Sequence, residues 1–297
     1  MINKEQAKQM TKAPGFVAAL DQSGGSTAKA LKLYGVDVLD YSNDEEMFDL
    51  IHEMRCRIMR SPTFNGGSVI GAILFEKTMD REVAGLATPD YLWNQRKVVP
   101  FLKVDNGLED EQNDVQTLKP IPELDLLLKR ASKAKIFGTK MRSVIHRANQ
   151  AGVDAVVSQQ FDIGRKILSH NLVPIIEPEI NIHSLDKAVA EDMLLCSLKD
   201  HLDALAQGKQ VILKLTLPER ANHYNSLTEH PSVMRVVALS GGYSRELANQ
   251  KLSRNAKMIA SFSRALTEGL SVLQADVEFD SVLARTIAEI SDASAAG

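Results

Sequence analysis

The sequence predicts a single-domain α/β protein, a (β/α)8 (TIM) barrel spanning residues 1–297. Three observations carry the prediction. Short apolar runs alternate with longer amphipathic stretches from one end of the chain to the other. Eight such runs can be counted, the number a closed parallel barrel needs. No Pro-, Ser- or Gly-rich linker, low-complexity tract or composition shift divides the 297 residues, a length ordinary for one barrel. An open doubly wound sheet is the rival architecture for an alternating pattern.

In chain order, the first candidate strand covers residues 15–20, an unbroken apolar run ending at Asp21. Residues 44–60 repeat apolar side chains with helical period and separate it from the second strand, 68–74. The third strand, 98–104, contains Lys103, and the acidic stretch 108–114 reads as a solvated loop. The fourth and fifth strands are residues 134–139 and 173–176, each bounded by charge. A helix over 185–206 follows, in which Leu185, Ala188, Val189, Asp192 and Leu195 step as i, i+3 and i+4 neighbours. The sixth, seventh and eighth strands are 211–215, 236–239 and 258–262, with helices over 244–252 and 281–290.

Composition removes several function classes. A net charge of −3 supplies no cationic field for a nucleic-acid backbone or an anionic lipid surface. The two cysteines, Cys56 and Cys196, cannot build a disulfide framework or a four-thiolate zinc site, and both read as core residues without a histidine at ligand distance. Residues 1–14 are polar and lack the apolar run of a signal peptide, and no stretch approaches the roughly 18–20 apolar residues of a membrane span. A cytoplasmic location is expected. The seven histidines form no metal-ligand pairing, and no Walker A loop, dinucleotide fingerprint or nucleophile elbow occurs.

The informative signal is charge at the ends of apolar strands, because such groups are costly to desolvate and a barrel presents its reactive groups there. Lys103, Lys140, Glu177 and Lys214 are each 37 residues apart by number, one strand–helix unit per step. Asp21 ends the first strand in the same way. Alternation along a strand places Arg142 on the face of Lys140 and Glu179 on the face of Glu177. Lysines and carboxylates around one mouth point to covalent amine chemistry, since a desolvated lysine attacks a carbonyl to form a Schiff base. Lys214 is the preferred nucleophile, with Val211-Ile-Leu before it and Leu215 after it.

Two glycine turns add an anion signal. Leu239-Ser-Gly-Gly runs from an apolar strand toward a helix, where backbone N–H groups can meet a phosphate, and Arg264 follows the next strand. Asp21-Gln-Ser-Gly-Gly-Ser is a second such loop. Together with Lys103 and Arg142 they indicate a substrate with two phosphates.

At these residues the chain resembles class I fructose-1,6-bisphosphate aldolase in its short bacterial form. The likeness runs from Leu20-Asp-Gln-Ser-Gly-Gly-Ser to Phe262-Ser-Arg-Ala-Leu and is most specific in Pro100-Phe-Leu-Lys-Val-Asp-Asn-Gly, Val173-Pro-Ile-Ile-Glu-Pro-Glu, Val211-Ile-Leu-Lys and Leu239-Ser-Gly-Gly. The resemblance implies a barrel lyase of glycolysis and gluconeogenesis. It would cleave fructose 1,6-bisphosphate into dihydroxyacetone phosphate and glyceraldehyde 3-phosphate, with sugar phosphates as its partners and no metal or other cofactor. Lys214 would match the Schiff-base lysine, Glu177 the acid/base of carbinolamine dehydration, and Glu179 the neighbour that orients the lysines. Asp21 would match the carboxylate at the C4 hydroxyl, and Lys140 a cation that activates the nucleophile. Ser240, Gly241 and Arg264 would hold the C1-phosphate; Lys103, Arg142, Ser23 and Ser26 would lie near the C6-phosphate. Departures are Gln22 for a glutamate, Asn106 for a lysine, Ser263 for a glycine, and no tyrosine after Tyr243 to match the terminal tyrosine of the animal enzymes. Alternatives of neighbouring chemistry are a transaldolase-like Schiff-base barrel and an enolising isomerase, the latter needing no trapped lysine. A homo-oligomer is compatible with the fold, although no stripe in the sequence marks an interface.

Overall fold

The structure is a computed structural model that describes residues 2–297. Eight parallel strands succeed one another in chain order: β1 (Phe16–Leu20), β2 (Val69–Leu74), β3 (Val99–Lys103), β4 (Gly138–Ile145), β5 (Val173–Ile180), β6 (Val211–Thr216), β7 (Val233–Leu239) and β8 (Met258–Ala260). Each strand pairs in parallel with the next from β1 to β8. The backbone N–H of Ala19 donates to the carbonyl of Phe262 at 3.0 Å, joining the last strand to the first. The predicted barrel forms, and the open sheet does not.

Strand alternation divides the apolar residues into two shells. Val17, Ala19, Ile70, Val99, Phe101, Ile175, Ile212 and Ile259 fill the barrel interior, while Ala18, Leu20, Leu74, Leu102, Ile176 and Leu213 face the surrounding helices. Burying each of the larger side chains contributes about 1.5–3 kcal/mol. Gly138 lets β4 approach β5: a Cβ there would lie 2.1 Å from the carbonyl oxygen of Val173.

The main helices are α1 (Lys4–Lys12), α2 (Gly25–Tyr34), α3 (Asp44–Arg60), α4 (Leu124–Lys133), α5 (Gln150–Ser169), α6 (Lys187–Asp203), α7 (Arg245–Leu252) and α8 (Asp276–Ala296). Helix α3 starts where Asn43 Oδ1 accepts from the N–H groups of Glu45 and Glu46, with acidic residues in its first turn and Arg57 and Arg60 in its last. Its buried face carries Met47, Ile51, Met54 and Ile58. Helix α1 closes the lower, N-terminal end of the barrel. Met10 enters the interior cluster, Gln9 Nε2 donates to the carbonyls of Ile70 and Lys97, and Arg235 donates to those of Thr11 and Ala13.

Several expectations are corrected. The fourth strand begins at Gly138, not 134, because Lys135 (φ 61°) turns the chain at the end of α4. The fifth strand continues through Glu177 and Glu179 to Ile180. The apolar face assigned to α6 is the wrong one: Leu185 is 90% exposed and Val189 49%, whereas Ala190, Leu194, Leu198 and Leu202 are buried. Consequently Cys196 is exposed, not core. Cys56 does have a histidine beside it, His52 Nε2 at 3.3 Å, one helical turn away; among the described residues no third ligand joins them. The stretch 108–114 is, as expected, a mainly exposed loop.

Candidate active site

Above the apolar layers, the next inward-facing positions are charged. Asp21 follows β1, Lys103 ends β3, Lys140 and Arg142 lie in β4, Glu177 and Glu179 in β5, and Lys214 in β6. Register sets Lys103 beside Lys140 and Arg142 beside Glu177. All seven line a cavity of about 570 Å³ at the C-terminal mouth, together with Ser23, Ser26, Ser240, Gly241 and Arg264. All twelve residues given a catalytic or phosphate-binding role from the sequence therefore line one space.

At its floor the charges form a chain. Lys214 Nζ lies 3.1 Å from Glu177 Oε1, Lys140 Nζ lies 2.9 Å from Glu177 Oε2, and Lys140 Nζ lies 2.7 Å from Asp21 Oδ2. All four side chains are buried. Burial works to raise the Asp21 carboxyl, but the charges of Lys140 and Lys214 with the Lys140 hydrogen bond outweigh it and hold it at about 2. Burial works the other way on Lys140, and Asp21 and Glu177 reverse it, lifting its ammonium well above the lysine range. Lys140 is thus a permanent cation between two anions.

Near the rim the pairing changes. Arg142 Nε lies 2.5 Å from Glu179 Oε2, so Glu179 contacts the arginine and neither lysine. Against the opposing effect of burial, Glu179 raises the guanidinium further, followed by Glu177 and Asp105. Lys103 Nζ donates to Asp105 Oδ1 at 2.6 Å and to its carbonyl at 2.8 Å. Ser26 Oγ donates to the carbonyl of Ser23 and accepts from its N–H, closing the loop that leads into α2.

The glycine loop after β7 comes against Arg264. Gly241 has φ 61° and no room for a side chain, since a Cβ would meet Ile182 Cγ2 at 2.6 Å. Gly242 (φ 122°) faces Arg264 Nη2, which a Cβ would approach to 3.4 Å. A concave strip of backbone beside an exposed guanidinium results, the arrangement that receives an oxyanion.

Sequence reasoning missed Gln22, Lys29, Asp105 and Ser263 as cavity residues. Asp105, two residues past Lys103, was accessible by the same alternation that found Arg142 and Glu179. Lys29 lies one turn past Ser26 on α2, a helix whose weak periodicity hid its orientation. Arg55, buried behind Gln22, left no signal because a charge on an amphipathic helix usually faces water.

Residues 3–219 match the family described as glycolytic fructose-bisphosphate aldolase class-I. Fructose-bisphosphate aldolase class 1 of Porphyromonas gingivalis is 56% identical over 99% of both chains. Its counterpart from Synechocystis is 55% identical over 98% of this chain and 97% of its own. Among solved structures, fructose-bisphosphate aldolase from Plasmodium falciparum, crystallised with TRAP and a small-molecule inhibitor, shares the fold with a TM-score of 0.76 at 20% identity, over 98% of this chain and 93% of that one. With a family match across most of its length and such relatives end to end, the chain belongs to the class I fructose-bisphosphate aldolases, lyases that act on a sugar phosphate.

Proposed function

We propose that Lys214 is the amine that carries the reaction, with Glu177 and Asp21 moving protons around it, Lys140 standing between those two as a fixed cation and Glu179 holding Arg142. The observation that carries this reading is the continuous chain Lys214–Glu177–Lys140–Asp21, buried at the floor of one cationic cavity. Lys214 Nζ, after passing a proton to Glu177, adds to the C2 ketone of fructose 1,6-bisphosphate, and a second proton moves from that nitrogen to the C2 alkoxide to give the carbinolamine. Glu177 returns the proton to the C2 hydroxyl, which leaves as water and gives an iminium. Asp21 takes the proton of the C4 hydroxyl; the C3–C4 bond breaks, its electrons pass to the iminium nitrogen, and glyceraldehyde 3-phosphate departs. Protonation of the enamine at C3 and addition of water release dihydroxyacetone phosphate and regenerate the lysine.

Ser240, Gly241 and Arg264 are suited to the C1-phosphate, and Lys103, Arg142, Ser23 and Ser26, with Lys29, to the C6-phosphate. A reaction without metal is supported by the state of the carboxylates: Asp21 and Glu177 are engaged by Lys140, Glu179 by Arg142 and Asp105 by Lys103. None is free to collect a divalent ion. The same reading has the enzyme act in the cytoplasm on free sugar phosphates; no described helix is long and apolar enough to cross a membrane.

Borohydride reduction in the presence of dihydroxyacetone phosphate, followed by peptide mass spectrometry, tests the assignment. The adduct is expected on Lys214 and absent from Lys214→Met. An adduct on Lys140 or Lys103, or none in the native protein, would remove Lys214 from its role.

A further inference from the structure

Arg55 is 1% exposed, on the inner face of α3, and its described partners are all neutral. Nη1 donates to Thr78 Oγ1 at 2.7 Å, and Nη2 donates to the backbone carbonyl of Gln22 at 2.7 Å and to its side-chain Oε1 at 3.2 Å. A guanidinium can only donate, so it fixes which end of the Gln22 amide it meets: the oxygen points inward and the NH2 outward. One N–H of that group donates to Ser263 Oγ at 2.8 Å. The other has no described protein partner, and the side chain lines the cavity. Ser263 immediately precedes Arg264, which faces the Gly241-Gly242 strip.

We propose that Gln22 is a further phosphate ligand of this enzyme, its amide N–H aimed by the buried Arg55 at the anion held between the Ser240-Gly241 loop and Arg264. The inference rests on reading that strip as the phosphate site. Gln22 offers the anion a neutral donor, and Arg55 keeps the NH2 end of the amide, not its oxygen, on the cavity side. Arg55 is a positioning residue: it touches no substrate, but it denies the amide the flipped orientation in which Oε1 would face the phosphate. Burial lowers its guanidinium to about 10, with the nearby charge of Asp21 acting the other way; it is still cationic at neutral pH, so the orientation persists under working conditions. A charge this deep without a contacting carboxylate is costly, and orienting one amide is a use for it that packing alone does not supply.

The test separates this proposal from the reading beneath it. Glycerol 3-phosphate carries the phosphate but no carbonyl, so its binding is free of imine chemistry; dihydroxyacetone carries the carbonyl without the phosphate. Gln22→Glu keeps the shape and gives Arg55 a counterion, so it is the variant best placed to fold. It should weaken glycerol 3-phosphate binding about 10- to 100-fold by calorimetry, the worth of a hydrogen bond to a charged group plus the new repulsion. Gln22→Ala should weaken it several-fold, about 3- to 10-fold. Borohydride trapping of unphosphorylated dihydroxyacetone should be unchanged in both. Arg55→Met should lose phosphate affinity as Gln22→Ala does, and Arg55→Lys, which retains a donor and the charge, should recover part of it. Unchanged glycerol 3-phosphate binding in Gln22→Glu, or equal loss for the phosphorylated and unphosphorylated ligands, overturns the role of Gln22. If Arg264→Ala also leaves glycerol 3-phosphate binding intact, the phosphate site itself has been misplaced.

Discussion

Glu177 is the residue on which the floor of the site depends, because its two oxygens face two different ammonium groups. Its side chain is 3% exposed, so either oxygen left without a cation would be a buried, unpaired charge. That double engagement suits a group that takes a proton from one neighbour while remaining anchored by the other. Glu177→Gln preserves shape and one acceptor but cannot carry the proton. We predict that turnover falls by about 10²–10⁴-fold, while borohydride trapping at Lys214 persists at a reduced rate. Steady-state cleavage and single-turnover trapping on the same preparation check it. Wild-type cleavage would pass the proton role to Glu179 or Asp21.

At the level of the elements, the strands do the placing and their close approach is enforced by small residues. Gly138→Ala would drive a methyl group to 2.1 Å from the Val173 carbonyl and 2.9 Å from the ring of Phe101. Neither can yield without separating β4 from β5, so we predict a loss of about 3 kcal/mol or more, together with activity, since Lys140 lies two residues on. Gly164→Ala on α5 is the counterexample: its methyl would meet the flexible tip of Ile176 at 3.3 Å and Pro174 at an ordinary contact distance of 3.7 Å, and the change should stay within about 1 kcal/mol. Urea unfolding of the two variants makes the comparison. These elements also show what the sequence could reveal. Strand ends bearing Lys103, Glu177 and Lys214 were legible because an apolar run interrupted by charge is unusual. The true start of β4 was hidden because Ile136 and Phe137 continue the apolar run below the strand, while Lys140 and Arg142 dilute it above. On α6 the misread face arose from Lys187 and Glu191, which are buried as an ion pair with Nζ and Oε1 2.5 Å apart. Hydropathy assigns such residues to solvent, and with them the wrong side of the helix. Arg55 escaped for the same reason.

For the molecule as a whole, the buried charges make folding depend on acidity. Asp21 titrates at about 2 in the folded chain against an ordinary 3.8, so the native state binds the proton more weakly than the unfolded one. Its contribution is fully present above about pH 4 and is lost as the pH falls through about 2, an amount on the order of 2 kcal/mol. We predict that stability measured by urea unfolding between pH 4 and pH 2 declines less steeply in Asp21→Asn than in the native protein. The variant should begin from a lower value at neutral pH, since Lys140 loses one of its two partners. Parallel curves across that window would contradict the coupling.

The stopper formed by α1 has a consequence for traffic. The interior beneath the site is filled by Val17, Phe101, Ile175 and Ile212, Met10 seats against that packing, and Gln9 and Arg235 pin the helix across the lower end, so among the described residues the reactive cavity opens at the rim. Whatever enters through the rim leaves through it. The half of a cleaved sugar that is not tethered to Lys214 must depart first, and the tethered half cannot be overtaken. The sequence of departures is then a property of the architecture: a cul-de-sac imposes a queue, and the bond to the lysine decides who stands at its head.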